Sequence, residues 1–136
     1  MSRRPRTWND GWTYHVISRF VDKRFFMTDA MRHAYKVLLN AALPSSGWRC
    51  FTYALMSNHV HLGVVAGAKP FASWIRDVHT RFAHFVNEVN ERQGPVFMAR
   101  PNLIAYRDGA AFDLVSYIHQ NPVRAGIVGS AGDSNW

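Results

Sequence analysis

Met56-Ser57-Asn58-His59-Val60-His61-Leu62-Gly63-Val64 alternates along most of its length between two kinds of side chain, as a β-strand with one face in a core does. Successive strand side chains point to opposite faces, so His59 and His61 share one face while Val60 and Leu62 enter the core. Two imidazoles one residue apart can grip a divalent ion. The same spacing also fits two histidines on a solvated face, and His-x-His alone does not decide between these readings.

Upstream, 49–55 reads as a strand joined to 59–65 by a tight turn at Met56-Ser57-Asn58, which makes a hairpin with the histidines on its second arm. A first strand is expected at 12–20, with Tyr14, Val16 and Ile17 as β-formers. Thr28 caps a helix running to Ala42, whose apolar stripe is Met31, Tyr35, Leu38, Leu39 and Ala42, and Pro44-Ser45-Ser46-Gly47 ends it in a turn. Downstream, Pro70 opens the clearest helix, with Phe71, Trp74, Ile75, Val78, Phe82, Phe85, Val86 and Val89 as its core face. Its opposite face carries Arg76, His79, Arg81 and His84 toward solvent or DNA.

Gln93-Gly94-Pro95 breaks that helix, and 96–106 is a strand region interrupted at Pro101. After Gly109 a last helix should run through Phe112, Leu114, Val115 and Ile118 and stop before Pro122. The order strand, helix, strand, strand, helix, strand, helix predicts an α+β fold. It is the ferredoxin-like, split βαβ antiparallel sheet with helices on one face and an added C-terminal helix. One domain spans 1–136, with a basic arm at 1–11 and a polar, glycine-rich tail at 129–136.

Charge narrows the function. Sixteen Lys+Arg against nine Asp+Glu leave a formal +7, and all but three of the basic residues are arginine. Arginine forks pair with phosphate oxygens and stack on bases, so the balance suggests a nucleic-acid partner, with simple solubility as the alternative. The single Cys50 cannot form an internal disulfide, which fits a reducing cytoplasm. No apolar stretch approaches a membrane span, and Arg3, Arg4 and Arg6 precede a mixed polar and aromatic run, unlike the apolar core of a secretion signal.

On the last expected helix Tyr117 and Asn121 stand four residues apart, hence on one face. Spacing alone leaves Tyr117 as amphipathic packing or a functional group, and Asn121 as a cap before Pro122 or a ligand. However, Ser57-Asn58-His59-Val60-His61 together with Tyr117-Ile118-His119-Gln120-Asn121-Pro122-Val123-Arg124-Ala125-Gly126 closely resembles the REP-associated tyrosine transposases, a branch of the HUH single-strand nucleases. Tyr14-His15-Val16-Ile17-Ser18-Arg19 and Gly94-Pro95-Val96-Phe97 extend the likeness over nearly the whole chain.

The resemblance implies an enzyme that nicks and joins single-stranded DNA beside hairpins of palindromic repeats. It matches His59 and His61 to the pair that binds Mg²⁺ or Mn²⁺, Tyr117 to the single nucleophile, and Asn121 to a third, amide-oxygen ligand. Related insertion-sequence enzymes usually carry glutamine at that last position, so Asn121 is one methylene shorter than their pattern. The DNA-binding candidates are Arg3, Arg4 and Arg6 on the arm and Arg19, Arg24, Arg100, Arg107 and Arg124, with Arg124 as the best single choice. His15 reads as a satisfied core histidine, with a place beside the metal as the alternative. A monomer is expected, and a dimer sharing active sites is the other possibility. The competing functional readings are a non-catalytic single-stranded nucleic-acid-binding module on the same scaffold and, ranked last, a zinc site. The zinc reading lacks a cysteine or HExxH partner.

Overall fold

A computed structural model describes residues 7–106. Its elements are β1 (Thr13–Arg19), α1 (Asp29–Ser46), β2 (Arg49–Leu55), β3 (His59–Val65), α2 (Ala72–Val89) and β4 (Asn102–Tyr106). The four strands form one antiparallel sheet in the order β2-β3-β1-β4, so the two halves of the chain interlock through the central pair. This is the arrangement expected of a split βαβ fold, and the two hairpin arms fall at the residues expected from their alternation. The expected helix after Gly109 and the arm at its far N-terminal end lie outside the described residues.

Both helices cover one face of the sheet. Tyr14 and Val16 of β1 and Val60, Leu62 and Val64 of β3 join Tyr35 and Leu39 of α1 and Trp74, Val78 and Phe82 of α2 in one buried cluster. The alternate strand positions therefore emerge on the other face, where Ala54 and Met56 form a small separate cluster with Tyr106 against it. That second face carries His15, His59 and His61.

Three sequence expectations need correction. First, α1 does not stop before Pro44 but runs to Ser46 and ends at Gly47, which adopts a left-handed φ of 76°. Burial of Leu43 and Ser46 holds the extra turn, and the Ser46 hydroxyl both donates to the Leu43 carbonyl and accepts from the Trp48 N–H. Second, Phe85 and Val89, counted as core, are exposed at the end of α2. Third, His79, assigned to the solvent or DNA face, is buried: its Nε2 is 2.8 Å from the Tyr35 hydroxyl, and its ring stacks on Phe97 with centroids 4.0 Å apart. His79 is four residues from Ile75 and three from Phe82, so it belongs to the same helical stripe.

Residues 20–27 cross from β1 to α1 through a short 3₁₀ turn, Val21–Lys23, that the sequence did not reveal. Asp22 and Lys23 both have positive φ there, a strained conformation for residues with a Cβ. The segment is tied to the β2–β3 turn, since Phe20 N–H donates to the Asn58 carbonyl (3.0 Å) and Met27 N–H to the Ser57 carbonyl (3.2 Å).

Candidate functional site

The antiparallel register decides what surrounds the two histidines. His61 lies opposite Ile17 on β1 and Ala54 on β2, and His59 lies opposite Arg19. His15, two residues before Ile17, shares the face and sits diagonally from His61. The His59 and His61 rings meet edge to face at 4.7 Å between centroids, and the His15 and His61 rings stack at 5.0 Å. Gly63 is directly opposite His15, and a Cβ there would meet Thr52 Cγ2 at 2.5 Å and Phe51 at 3.0 Å. A bulge between Cys50 and Thr52 brings this part of β2 over the glycine.

Hydrogen bonds sort the ring nitrogens. His59 Nδ1 lies 2.6 Å from Asn58 Oδ1. A carbonyl oxygen only accepts, so Nδ1 carries the proton and Nε2 keeps its lone pair. His61 Nδ1 is 2.8 Å from His15 Nε2, while His61 Nε2 is buried and has no hydrogen-bond partner among the described residues. A buried polar atom left without a partner is costly, and such atoms mark places where a ligand or ion belongs.

Electrostatics keeps the three rings neutral. Burial pushes the His61 pKa down to about 3, and His59, His15 and Arg19 add to the shift in the same direction. Burial lowers His15 to about 4. His59 is lowered by burial first and by the Arg19 guanidinium second. Neutral imidazole is the form that binds metal. The donor set therefore fits a divalent ion as far as it goes. Among the described residues no group of three or more His, Cys, Asp or Glu side chains is arranged to hold a metal ion.

The basic candidates divide by position. Arg19 is exposed beside His59, at the end of β1. Arg24 follows in the 20–27 segment, with its guanidinium 5.2 Å from the Phe26 ring, and Arg92 approaches the same ring at 4.9 Å. Phe25, which the sequence reading passed over, is 75% exposed between them in sequence. Arg100 lies elsewhere, with Arg76, Trp8 and Phe71 on the wall of a cavity of about 500 Å³ beside the start of α2. Tyr117, Asn121, Arg3, Arg4, Arg6, Arg107 and Arg124 lie outside the described residues.

His15 was the residue whose role the sequence left open. Its signal lay in the strand alternation: Tyr14, Val16 and Ser18 face the helices, which sends His15 to the face of His61.

No family model and no curated protein sequence matches the chain. Solved structures do. A REP-associated tyrosine transposase bound to a REP hairpin superposes with a TM-score of 0.82 at 19% identity, covering 100% of this chain and 81% of that one. This chain has the fold of that transposase. A putative transposase from Deinococcus radiodurans R1 superposes with a TM-score of 0.59 at 13% identity, over 88% of this chain and 97% of the other. Within this fold, His59 and His61 occupy a central strand on the face opposite α1 and α2. Among the described residues no helix is long and apolar enough to cross a membrane.

Proposed function

We propose that this protein is a transposase that nicks and rejoins single-stranded DNA beside a hairpin of a repeat element. The observation that supports it most strongly is the pair of ring nitrogens on β3: His59 Nε2, freed by the bond to Asn58, and His61 Nε2, buried without a partner among the described residues. A non-catalytic DNA-binding sheet has no need of such a pair. The fold shared with a hairpin-bound REP-associated transposase supplies the substrate class.

In this reading His59 and His61 hold Mg²⁺ or Mn²⁺, with the Asn121 amide oxygen as a third ligand. Such an ion, when bound, neutralises and polarises the scissile phosphate. Tyr117 loses its phenolic proton to water or a basic group, and its oxygen attacks phosphorus. A bond forms between the tyrosine oxygen and phosphorus, the bond from phosphorus to the 3′ oxygen breaks, and the departing strand takes up a proton as a free 3′-OH. The product is a 5′-phosphotyrosine adduct, and attack by another 3′-OH reverses the step and joins strands without ATP.

Arg19 and the 23–25 segment flank the histidine end of the sheet, where DNA entering the site would run. Arg3, Arg4, Arg6, Arg100, Arg107 and Arg124 complete the proposed DNA-binding set. The protein acts as a monomer in the cytoplasm.

The test is a covalent-adduct assay on single-stranded oligonucleotides that carry hairpins from repeats flanking the gene. Wild type with Mg²⁺ or Mn²⁺ should give an adduct stable to denaturation, and Tyr117→Phe should give none while still binding the hairpin. Salt-sensitive binding with no adduct under any divalent ion would instead identify a binding module. An adduct from the Tyr117→Phe protein would remove Tyr117 from the mechanism.

A further inference from the structure

The bond between His15 and His61 has two possible proton arrangements. His15 Nε2 and His61 Nδ1 are 2.8 Å apart, so one of them carries the hydrogen and the other the lone pair. If His15 donates, neutral His61 must carry its own proton on Nε2, the buried atom with no acceptor in reach among the described residues. If His61 donates from Nδ1, Nε2 is a bare lone pair on the same face as His59. Only the second arrangement makes His61 a ligand.

We propose that His15 is a positioning residue of the metal site: its Nε2 accepts the His61 Nδ1 hydrogen and so holds His61 in the tautomer that presents Nε2 to a divalent ion. The proposal rests on the reading of His59 and His61 as metal holders. Asn58 does the equivalent work for His59 by accepting from its Nδ1 at 2.6 Å. Each ligand thereby has its own acceptor, one from the β2–β3 turn and one from the neighbouring strand. Metal-binding histidines are commonly oriented through their second nitrogen in this way.

The fold fixes His15 more firmly than a loop could. β1 is one of the sheet's two inner strands, paired with β3 on one side and β4 on the other. The stacked rings of His15 and His61, tilted by 26°, leave little freedom for either to rotate. Gly63, opposite His15, keeps that position of the face free of a side chain.

The experiment uses the full chain with ¹⁵N-labelled histidine. In metal-free wild type at neutral pH, long-range ¹H–¹⁵N spectra should show His61 protonated at Nδ1 and bare at Nε2. His61 protonated at Nε2 would overturn the proposal. His15→Phe, which fills the space but accepts nothing, should weaken Mn²⁺ binding, read by titration calorimetry, roughly ten- to hundredfold. His15→Gln, whose carbonyl oxygen can take the place of Nε2, should recover most of that loss. A folded His15→Phe protein with wild-type Mn²⁺ affinity would overturn the proposal, and the wild-type spectra decide it if that variant does not fold. Wild type that binds Mn²⁺ but forms no DNA adduct would count against the proposed function and leave the role of His15 standing. Wild type that binds no Mn²⁺ would overturn both.

Discussion

His79 shows what a single buried imidazole does to stability. It is held between the Tyr35 hydroxyl and the Phe97 ring, and burial pushes its pKa down to about 3. The unfolded chain, with an ordinary histidine near 6.5, binds the proton more readily than the folded one. The contribution of His79 is therefore complete above about pH 6.5 and is lost as pH falls from there toward 3. At pH 5 the loss is about 2 kcal/mol. His79→Gln, which can still hydrogen-bond but does not titrate, should flatten the fall in urea-unfolding free energy between pH 7 and 5. Part of the slope should remain, because His15 and His61 are shifted in the same direction. An unchanged slope would mean that His79 is not the group that titrates. Gly63 makes the complementary point about space. A Cβ at 2.5 Å from Thr52 Cγ2 forces a stiff, buried side chain to move, so Gly63→Ala should cost about 1–3 kcal/mol in urea unfolding. Thr52→Ser removes the clashing methyl, and Gly63→Ala should cost less in that background. Equal cost in both backgrounds would place the clash elsewhere.

At the scale of elements, the strands were the most legible part. Val60, Leu62 and Val64 alternate cleanly with the polar or small positions, because α1 and α2 pack on one side of β3 only, and its bounds follow directly. The buried stripes of both helices were legible for the same reason, apart from their ends. Phe85 and Val89 fit the helical period but are exposed while Val86 between them is buried, and periodicity does not say which flank of a wide apolar stripe its partner covers. His79 was missed because a polar residue in an apolar stripe has to be read with its partner, and Tyr35 is 44 residues away. The β1–α1 connection was illegible because its form depends on bonds to Ser57 and Asn58 in another hairpin. That connection, which carries Lys23, Arg24 and Phe25, is tied at both ends to the turn that precedes His59. An exposed aromatic ring among cations is the usual platform for an unpaired base. Phe25→Ala should therefore weaken hairpin binding by about 1–3 kcal/mol, measured by fluorescence anisotropy, with no change in the salt slope. Unaltered binding would show that DNA takes another path.

For the molecule as a whole, the proposed function separates the residues that would bind DNA from those that would cut it. The formal charge of +7 is spread over many arginines, and among the described residues the ion pairs are local, Arg32 with Asp29 and Arg81 with Asp77. Exposed cations such as Arg19 are thus available to phosphates, and each phosphate contact should cost about 3.5-fold in affinity when salt rises from 50 to 200 mM. The His59–His61 pair contributes little to that attraction, because both imidazoles are held neutral. His59→Ala and His61→Ala should accordingly keep hairpin affinity within about threefold and keep the wild-type salt slope. Both should lose the covalent adduct, as should wild type in excess chelator. Arg19→Ala should behave in the opposite way, lowering the salt slope by about one while still forming an adduct at saturating DNA. If His61→Ala lost hairpin binding and adduct together, the two functions would share the same residues. The sheet face opposite α1 and α2 would then be a binding surface first, and the reading of β3 as the holder of a metal at the scissile phosphate would fail.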